Sequence, residues 1–209
     1  YAPLADRMGM NRIRDELEDL SFAVLNNKAR NLIIERLQFI KSNRDNNFNS
    51  ISNQLIELLK TQGVEAKISG REKTPFSIWR KMQNKKVSLE QLTDIIGFRV
   101  QLSNIEDCYK TLGIFHSKYS AIPGKFKDYI STPKINKYKS IHTSLIGPEK
   151  QRIEIQIRTH DMHEFAERGI ASHWKYKSSE KFSELSWREY DWLRDLVEII
   201  ENGNSPEHY

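Results

Sequence analysis

Residues 133–159, PKINKYKSIHTSLIGPEKQRIEIQIRT, constrain the fold more than any other stretch of the chain. Two alternating runs lie in it, Ile141–Ile146 and Ile153–Arg158, joined at Gly147-Pro148. In the second run Ile153, Ile155 and Ile157 point one way and Glu154, Gln156 and Arg158 the other, because successive strand side chains face opposite sides. In the first, Ile141, Thr143 and Leu145 share one face, and His142 and Ser144 share the other. The pattern predicts a hairpin with an apolar underside and an upper face bearing a carboxylate, an amide, a guanidinium and an imidazole. The loop before it supplies Lys134, Asn136, Lys137, Tyr138 and Lys139, cations around one aromatic ring. Such a loop suits anions and flat rings, which points to a nucleotide. An ordinary half-exposed hairpin also turns polar residues to water, so these residues alone leave a merely solvated surface open.

The preceding chain supplies a second candidate feature. Val64–Ser69 alternates and predicts a strand, closing on Gly70-Arg71-Glu72-Lys73. Pro75 suits the first turn of a helix, on which Phe76, Trp79 and Met82 form an apolar stripe. Ser77 and Lys81 are four apart and share a face beside Arg71 and Lys73. A strand, a Gly, two cations and a helix N-terminus together suit a phosphate seat, although an ordinary strand-to-helix corner with surface cations has the same residues. GxxxxGK[ST] is absent, so it is no Walker loop. Ile95–Leu102 then predicts a strand with Asp94 at its mouth. An acid there is often only a cap, but Asp94 and Glu154 on neighbouring strands are also a pair of carboxylates that can hold Mg²⁺ between them and a triphosphate.

The remaining segments read as support. Residues 1–62 are helical in pattern: Ile13, Leu17, Leu20 and Val24, then Leu32, Ile33, Leu37 and Ile40, then Ile51, Leu55, Leu58 and Leu59. Breaks fall at Asn26-Asn27 and Ser42–Asn47, and Gly63 suits a helix C-cap. Ile105–Lys118 predicts a helix burying Ile105, Cys108, Tyr109, Leu112 and Phe115. Cys108 on that stripe reads as core, not nucleophile, and His116 as structural. Asp161–Lys177 predicts a further helix with Met162, Phe165, Ala166, Ile170 and Trp174 inward. His160, His163 and His173 match no zinc helix spacing. Trp187, Trp192, Leu193, Leu196, Val197 and Ile200 mark a final amphipathic helix before a frayed tail.

Composition narrows the class. The 209 residues carry a net charge of +5 and 38% hydrophobic side chains, enough for a real core. The balance suits polyanions, but no long basic run marks a nucleic-acid tail. One cysteine excludes an intramolecular disulfide and fits a reducing, cytoplasmic setting. No apolar stretch is long enough to span a membrane. The first residue is not Met and no signal layout follows, so the chain is expected to begin inside a longer protein or after processing.

Taken together, several ordered motifs resemble the synthetase domain of the RelA/SpoT family of (p)ppGpp synthetases. They are Gly70-Arg71-x-Lys73 with Ser77-Ile78 and Lys81-Met82, then Asp94-x-x-Gly97-x-Arg99. Tyr129-Ile130-x-Thr132-Pro133-Lys134, Tyr138-x-Ser140-Ile141-His142-Thr143 and Glu154-Ile155-Gln156-Ile157-Arg158-Thr159 follow. Ala171-x-His173-Trp174-x-Tyr176-Lys177 closes the set. The resemblance covers residues 63–178, and the opening YAPLADRMGM…ELEDLSF resembles the stretch after the hydrolase domain of bifunctional members. That hydrolase's His-Asp metal motif is absent.

The resemblance implies an activity: pyrophosphate moves from ATP to the 3′-hydroxyl of GDP or GTP, with Mg²⁺. Asp94 would bind the metal, and Glu154 would bind it too or accept the hydroxyl proton, with Gln156 in the same cleft. Arg71 and Arg99 would flank adenine, and Lys73, Ser77 and Lys81 would hold ATP phosphates. Tyr138 would stack on guanine, with Lys127, Lys134, Asn136 and His142 on the rest of GDP or GTP. The loop departs from the common Asn-Gly-Tyr-Gln-Ser pattern, since Lys137 stands where Gly is usual.

The expected fold is α+β: a mixed sheet of about five strands flanked by helices, nucleotidyltransferase-like, with an N-terminal helical segment. The expected division is a helical connector over residues 1–62, the synthetase unit over 63–178, and a C-terminal helix and tail over 179–209. ATP and GDP or GTP are the expected partners, with flanking hydrolase or regulatory domains possible and no membrane. Two other readings stand beside the enzyme: a catalytically silent remnant that binds nucleotide or a partner, and a basic RNA-binding module.

Overall fold

The computed structural model describes residues 1–42, 45–71, 73–86, 88–89 and 97–169. Four helices come first: α1 Ala2–Arg7, α2 Asn11–Leu25, α3 Asn27–Ser42 and α4 Asp45–Thr61. Strand β1 is Lys67–Arg71, followed by α5 Pro75–Lys85, β2 Gly97–Leu102 and α6 Ile105–Lys118. Two short strands, β3 Ser120–Ala121 and β4 Lys127–Asp128, lead to β5 Ile141–Ile146 and β6 Arg152–Thr159. Helix α7 His160–Arg168 follows directly.

The six strands form one mixed sheet in the order β1-β2-β6-β5-β3, with β4 also paired to β5. Strands β2 and β6 run parallel, and the other pairs are antiparallel. This is the expected α+β architecture with one strand more than anticipated. The hairpin of β5 and β6 holds its expected apolar face: Ile141, Leu145, Ile153, Ile155 and Ile157 are all buried. They meet Phe98, Val100 and Leu102 of β2, and α4 and α6 cover that face with Ile51, Leu55, Leu59, Cys108 and Phe115. Helix α4 thus belongs to the same core as the sheet. Its end is fixed by Gly63, at φ 69° where Gly avoids a Cβ clash, and by the Val64 N–H donating to the Leu59 carbonyl at 3.0 Å.

Several expectations are corrected. Val64–Ala66 lies outside any strand, because Val64 folds back onto α4 as a core residue, so β1 starts at Lys67 and includes Gly70 and Arg71. The hairpin turn is a single 3-10 turn, Pro148–Lys150, closed by the Gly147 N–H on the Gln151 carbonyl at 2.8 Å. Helix α6 has the predicted bounds, but Ile105 and Tyr109 lie on its outer side and are exposed. Helix α7 stops at Arg168 before Gly169, at φ 58°, whose Cα packs against the Met8–Met10 corner, leaving no room for a Cβ. The remainder of the helix expected to reach Lys177, and the later helix with Trp187 and Trp192, lie outside the described residues.

The largest departure is in α2. Ile13, Leu20 and Val24 face water, Val24 being 84% exposed, whereas Phe22 on the opposite side is buried. Phe22 meets Phe76 and Trp79 of α5 at centroid distances of 5.6 and 5.2 Å, in a second small core with Ile33, Ile78 and Leu89. Polar contacts orient the rest of that inner face. Asn11 Nδ2 donates to the Ala166 carbonyl at 2.7 Å, and Glu18 accepts from Arg80 at 3.2 Å. One well-placed aromatic and its polar partners outweigh the aliphatic stripe.

Candidate active site

The face of the sheet opposite the main core carries most of the residues singled out from the sequence. Cross-strand register sorts them into rows, because residues directly opposite on paired strands share a face. Arg71, Gly97, Glu154 and Ser144 form one row across β1, β2, β6 and β5. Ser69, Arg99, Gln156, His142 and Lys127 form the next. Gln101 and Arg158 form a third. That face is less open than its alternation suggested: Gln156 is 5% exposed and Arg158 only 2%.

Glu154 is the centre of the first row. Its Oε2 lies 2.8 Å from Lys73 Nζ, and its Oε1 is 3.4 Å from Arg71 Nη1. Gly97 lies beside the second contact without a side chain of its own. It stands between the two in the row, and a Cβ there would lie 3.4 Å from the Arg71 carbonyl oxygen. Burial alone would push the Glu154 carboxyl up. The Lys73 ammonium, and then the Arg71 guanidinium, outweigh it and hold the carboxyl below its ordinary value. Glu154 is therefore a half-buried anion at neutral pH.

Helix α5 begins beside this pair. Thr74 caps it, its Oγ1 accepting the Ser77 N–H at 3.2 Å and lying 2.9 Å from Ser77 Oγ. Pro75 occupies the first turn as expected, and Ser77 and Lys81 follow one turn apart, both half-buried. The Thr74-Pro75 pair is a legible cap signal that the sequence reading passed over.

At the other end of the face stands a cluster of rings. Tyr138 Oη lies 2.8 Å from His142 Nε2, and Tyr129 packs edge-on against both, at 6.0 and 5.2 Å. Lys134 Nζ sits 4.9 Å from the Tyr129 ring centroid and 5.1 Å from that of Tyr138, a cation–π arrangement. Tyr138 is 8% exposed, so its ring is packed rather than presented to water. Burial pushes the His142 imidazole down to about 4, with Arg71, Lys134 and Arg158 adding to the effect against the pull of Glu154. His142 is neutral at physiological pH. Tyr129 was quoted only as part of a motif; its place in the ring cluster was not foreseen.

The loop between Lys134 and Tyr138 is closed by the Lys137 N–H on the Lys134 carbonyl at 2.8 Å. Lys137 takes φ 59°, the conformation that favours the Gly found there in the common pattern. The Asn136 amide is engaged on both sides. Nδ2 donates to the Asp6 carbonyl of α1 at 3.0 Å, and Oδ1 accepts the Tyr138 N–H at 3.3 Å. The structure thus ties Asn136 to the N-terminal helix instead of joining it to the rows. Asp94 lies outside the described residues. Cys108 is wholly buried, with its thiol pushed up to about 12 by burial, which suits a core residue. His116 Nε2 lies 2.8 Å from Thr143 Oγ1, a structural contact on the core side of the sheet.

The described site face is part of a mixed sheet bearing cations around an ionised carboxylate, next to a capped helix start and a cluster of rings. A family model described as the region found in RelA / SpoT proteins matches residues 70–181. The chain belongs to the RelA/SpoT family.

Particular relatives agree with that placement. The chain is 45% identical over its whole length to the GTP pyrophosphokinase rsh of Brucella melitensis, of which it spans 28%. It is 42% identical over 99% of its length to the guanosine-3′,5′-bis(diphosphate) 3′-pyrophosphohydrolase of Aquifex aeolicus, spanning 30% of that protein. A GTP pyrophosphokinase of Myxococcus xanthus is 37% identical over the whole chain, which spans 28% of it. The chain therefore covers a little under a third of these relatives at most. The fold is similar to that of the small alarmone synthetase 1 of Bacillus subtilis bound to its product pppGpp. That likeness has a TM-score of 0.52 and 20% identity, covering 82% of this chain and 100% of that one. A GTP pyrophosphokinase family protein of Streptococcus pneumoniae gives a TM-score of 0.51 at 22% identity, covering 80% and 94%.

Proposed function

We propose that the chain transfers pyrophosphate from ATP to the 3′-hydroxyl of GDP or GTP, making (p)ppGpp. The observation that carries this reading is the row Arg71, Gly97, Glu154 with Lys73 closing on the carboxylate. A module that only bound nucleotide would have no need to bury an anion among the cations that receive phosphate. The names of the Brucella melitensis and Myxococcus xanthus relatives, both GTP pyrophosphokinases, support the same reading.

In the reaction, the 3′-oxygen attacks the β-phosphorus of ATP, the bond from the bridging oxygen to that phosphorus breaks, and AMP leaves. The 3′-hydroxyl proton must go to a base. Lys73, Ser77 and Lys81 bind the ATP phosphates, with Arg71 and Arg99 against adenine. Tyr138, Lys134, His142 and Lys127 hold the guanine nucleotide, and Gln156 lies between the two halves, in the row of Arg99 and His142. When phosphates draw Lys73 away, burial of Glu154 is less opposed and its proton affinity climbs. ATP binding thus turns an ion-pair partner into a competent proton acceptor. Holding both nucleotides in one frame supplies the alignment that an in-line transfer needs.

Mg²⁺ fits the donor set. Glu154 is an ionised oxygen donor, and Asp94 precedes Gly97, the register partner of Glu154, by three positions in sequence. When bound, the metal would neutralise charge developing on the transferred group. The test is to incubate the chain with ATP, GDP and Mg²⁺ and identify products by mass. Guanosine tetraphosphate from the wild type, lost in Asp94→Asn and in Glu154→Gln, is the expected result. Undiminished product from either variant would remove that residue from the mechanism.

A further inference from the structure

One carboxylate on the site face has no role in the account above. Glu167, on α7, places Oε1 3.2 Å from Arg99 Nη2 and 3.5 Å from Arg158 Nη2. Arg158 lies in the row next to Arg99 and is 2% exposed. Its Nη2 also approaches His163 Nδ1 at 2.8 Å. A guanidinium only donates, so Nδ1 accepts and the imidazole is neutral. Burial and the neighbouring Arg158 push His163 down, in keeping with that state. The neutral ring brings no charge, so Glu167 is the anion that the two guanidiniums share among the described residues.

Burying two like charges side by side is costly unless a counter-charge is fixed between them. The backbone fixes this one. Helix α7 starts directly after β6, where Thr159 Oγ1 accepts the Met162 N–H at 3.2 Å. Glu167 therefore returns over the end of the strand that carries Arg158. Arg99 Nε and Arg158 Nε are both buried without a hydrogen-bond partner among the described residues. For Arg99, Glu167 is then the ion-pair partner among the described residues, engaging one end of its guanidinium.

We propose that Glu167 is a positioning residue for the ATP half of the site, acting through Arg99, with Arg158 anchoring the carboxylate from beneath. The proposal rests on the reading of Arg99 as an adenine-facing group. A flat guanidinium stacks better on a base when its position is restrained, and the Glu167 ion pair draws Arg99 toward α7. Among the described residues Glu167 itself touches Arg99 and Arg158 and no residue assigned to the guanine half. Arg158 does feel Tyr138 and His142 electrostatically, so loss of Glu167 should act more strongly on the ATP half than on the guanine half.

The experiment compares wild type, Glu167→Gln and Glu167→Asp. It measures KM for ATP and for GDP, kcat, thermal melting, and calorimetric binding of a non-transferable α,β-methylene ATP analogue. The expected result is a rise in KM for ATP, and in the analogue Kd, of about fivefold in Glu167→Gln, from one lost, partly exposed ion pair. KM for GDP should change less than about twofold, and Glu167→Asp should recover part of the loss. Equal changes in both KM values, or unaltered analogue binding at an unchanged melting temperature, would overturn the proposal. A wild type that makes no product yet binds the analogue, with Glu167→Gln weakening it, would remove the transferase reading and leave the positioning role standing. A wild type that binds no analogue would overturn the positioning role.

Discussion

Lys73 Nζ stands 2.8 Å from Glu154 Oε2, so the two residues hold each other in the absence of substrate. The same contact that keeps Glu154 ionised is one a triphosphate would break. Lys73→Met should therefore raise the Glu154 pKa, since burial is then opposed chiefly by Arg71. The acid limb of kcat/KM should move to higher pH, and KM for ATP should rise. An unmoved acid limb would show that the limb reports some other group.

Gly97 leaves the space over which Arg71 and Glu154 meet. A Cβ there would make only tight contact, 3.4 Å from the Arg71 carbonyl oxygen and 3.5 Å from Arg71 Cβ. Gly97→Ala should fold normally. Gly97→Val should wedge the row apart and lower kcat/KM by ~10²-fold, the scale set by ångström displacements in a transfer site. Full activity in Gly97→Val would show that the Arg71–Glu154 contact is dispensable.

Lys137 adopts φ 59° with a side chain that disfavours it. Lys137→Gly should raise stability by ~0.5–1 kcal/mol, the left-handed penalty outweighing the extra unfolded-state freedom of Gly. Urea unfolding reads this directly. A loss of stability would mean that contacts of the Lys137 side chain outweigh the strain.

His142 titrates near 4 in the folded chain against 6.5 for the free side chain. Between those values the unfolded state binds the proton and the folded state does not, so stability falls as pH drops from 6.5 to 4. The contribution approaches ~1.4 kcal/mol per pH unit and levels off below 4. His142→Gln lacks this titration, so the wild type should lose stability relative to it across that window alone. A constant difference between the two across pH 6.5 to 4 would contradict a buried neutral His142.

Much of this was legible because strands write their faces into the sequence. The alternation of Ile153, Ile155 and Ile157 against Glu154 and Gln156 fixed which residues would meet before any partner strand was known. The motif around Arg71, Lys73 and Ser77 likewise located the helix start. The parallel pairing that sets Arg99 beside Gln156 was not legible, because register between distant strands leaves no local mark. Nor was the outward stripe of α2. Periodicity shows that a face is apolar, not that it is turned inward, and Phe22 won through rings on α5 that lie far away in sequence. Glu167 was overlooked because a lone acid on an amphipathic helix looks like surface. Only the fold brings it to Arg99 and Arg158.

The central claim is that the bond broken is the one between the α- and β-phosphates of ATP. The most direct measurement follows nucleotides by chromatography as the chain acts on ATP and GDP with Mg²⁺. The account predicts one AMP released for each guanosine tetraphosphate formed, both abolished by Glu154→Gln. ADP accumulating with the guanosine product instead of AMP would identify transfer of a single phosphate and contradict it.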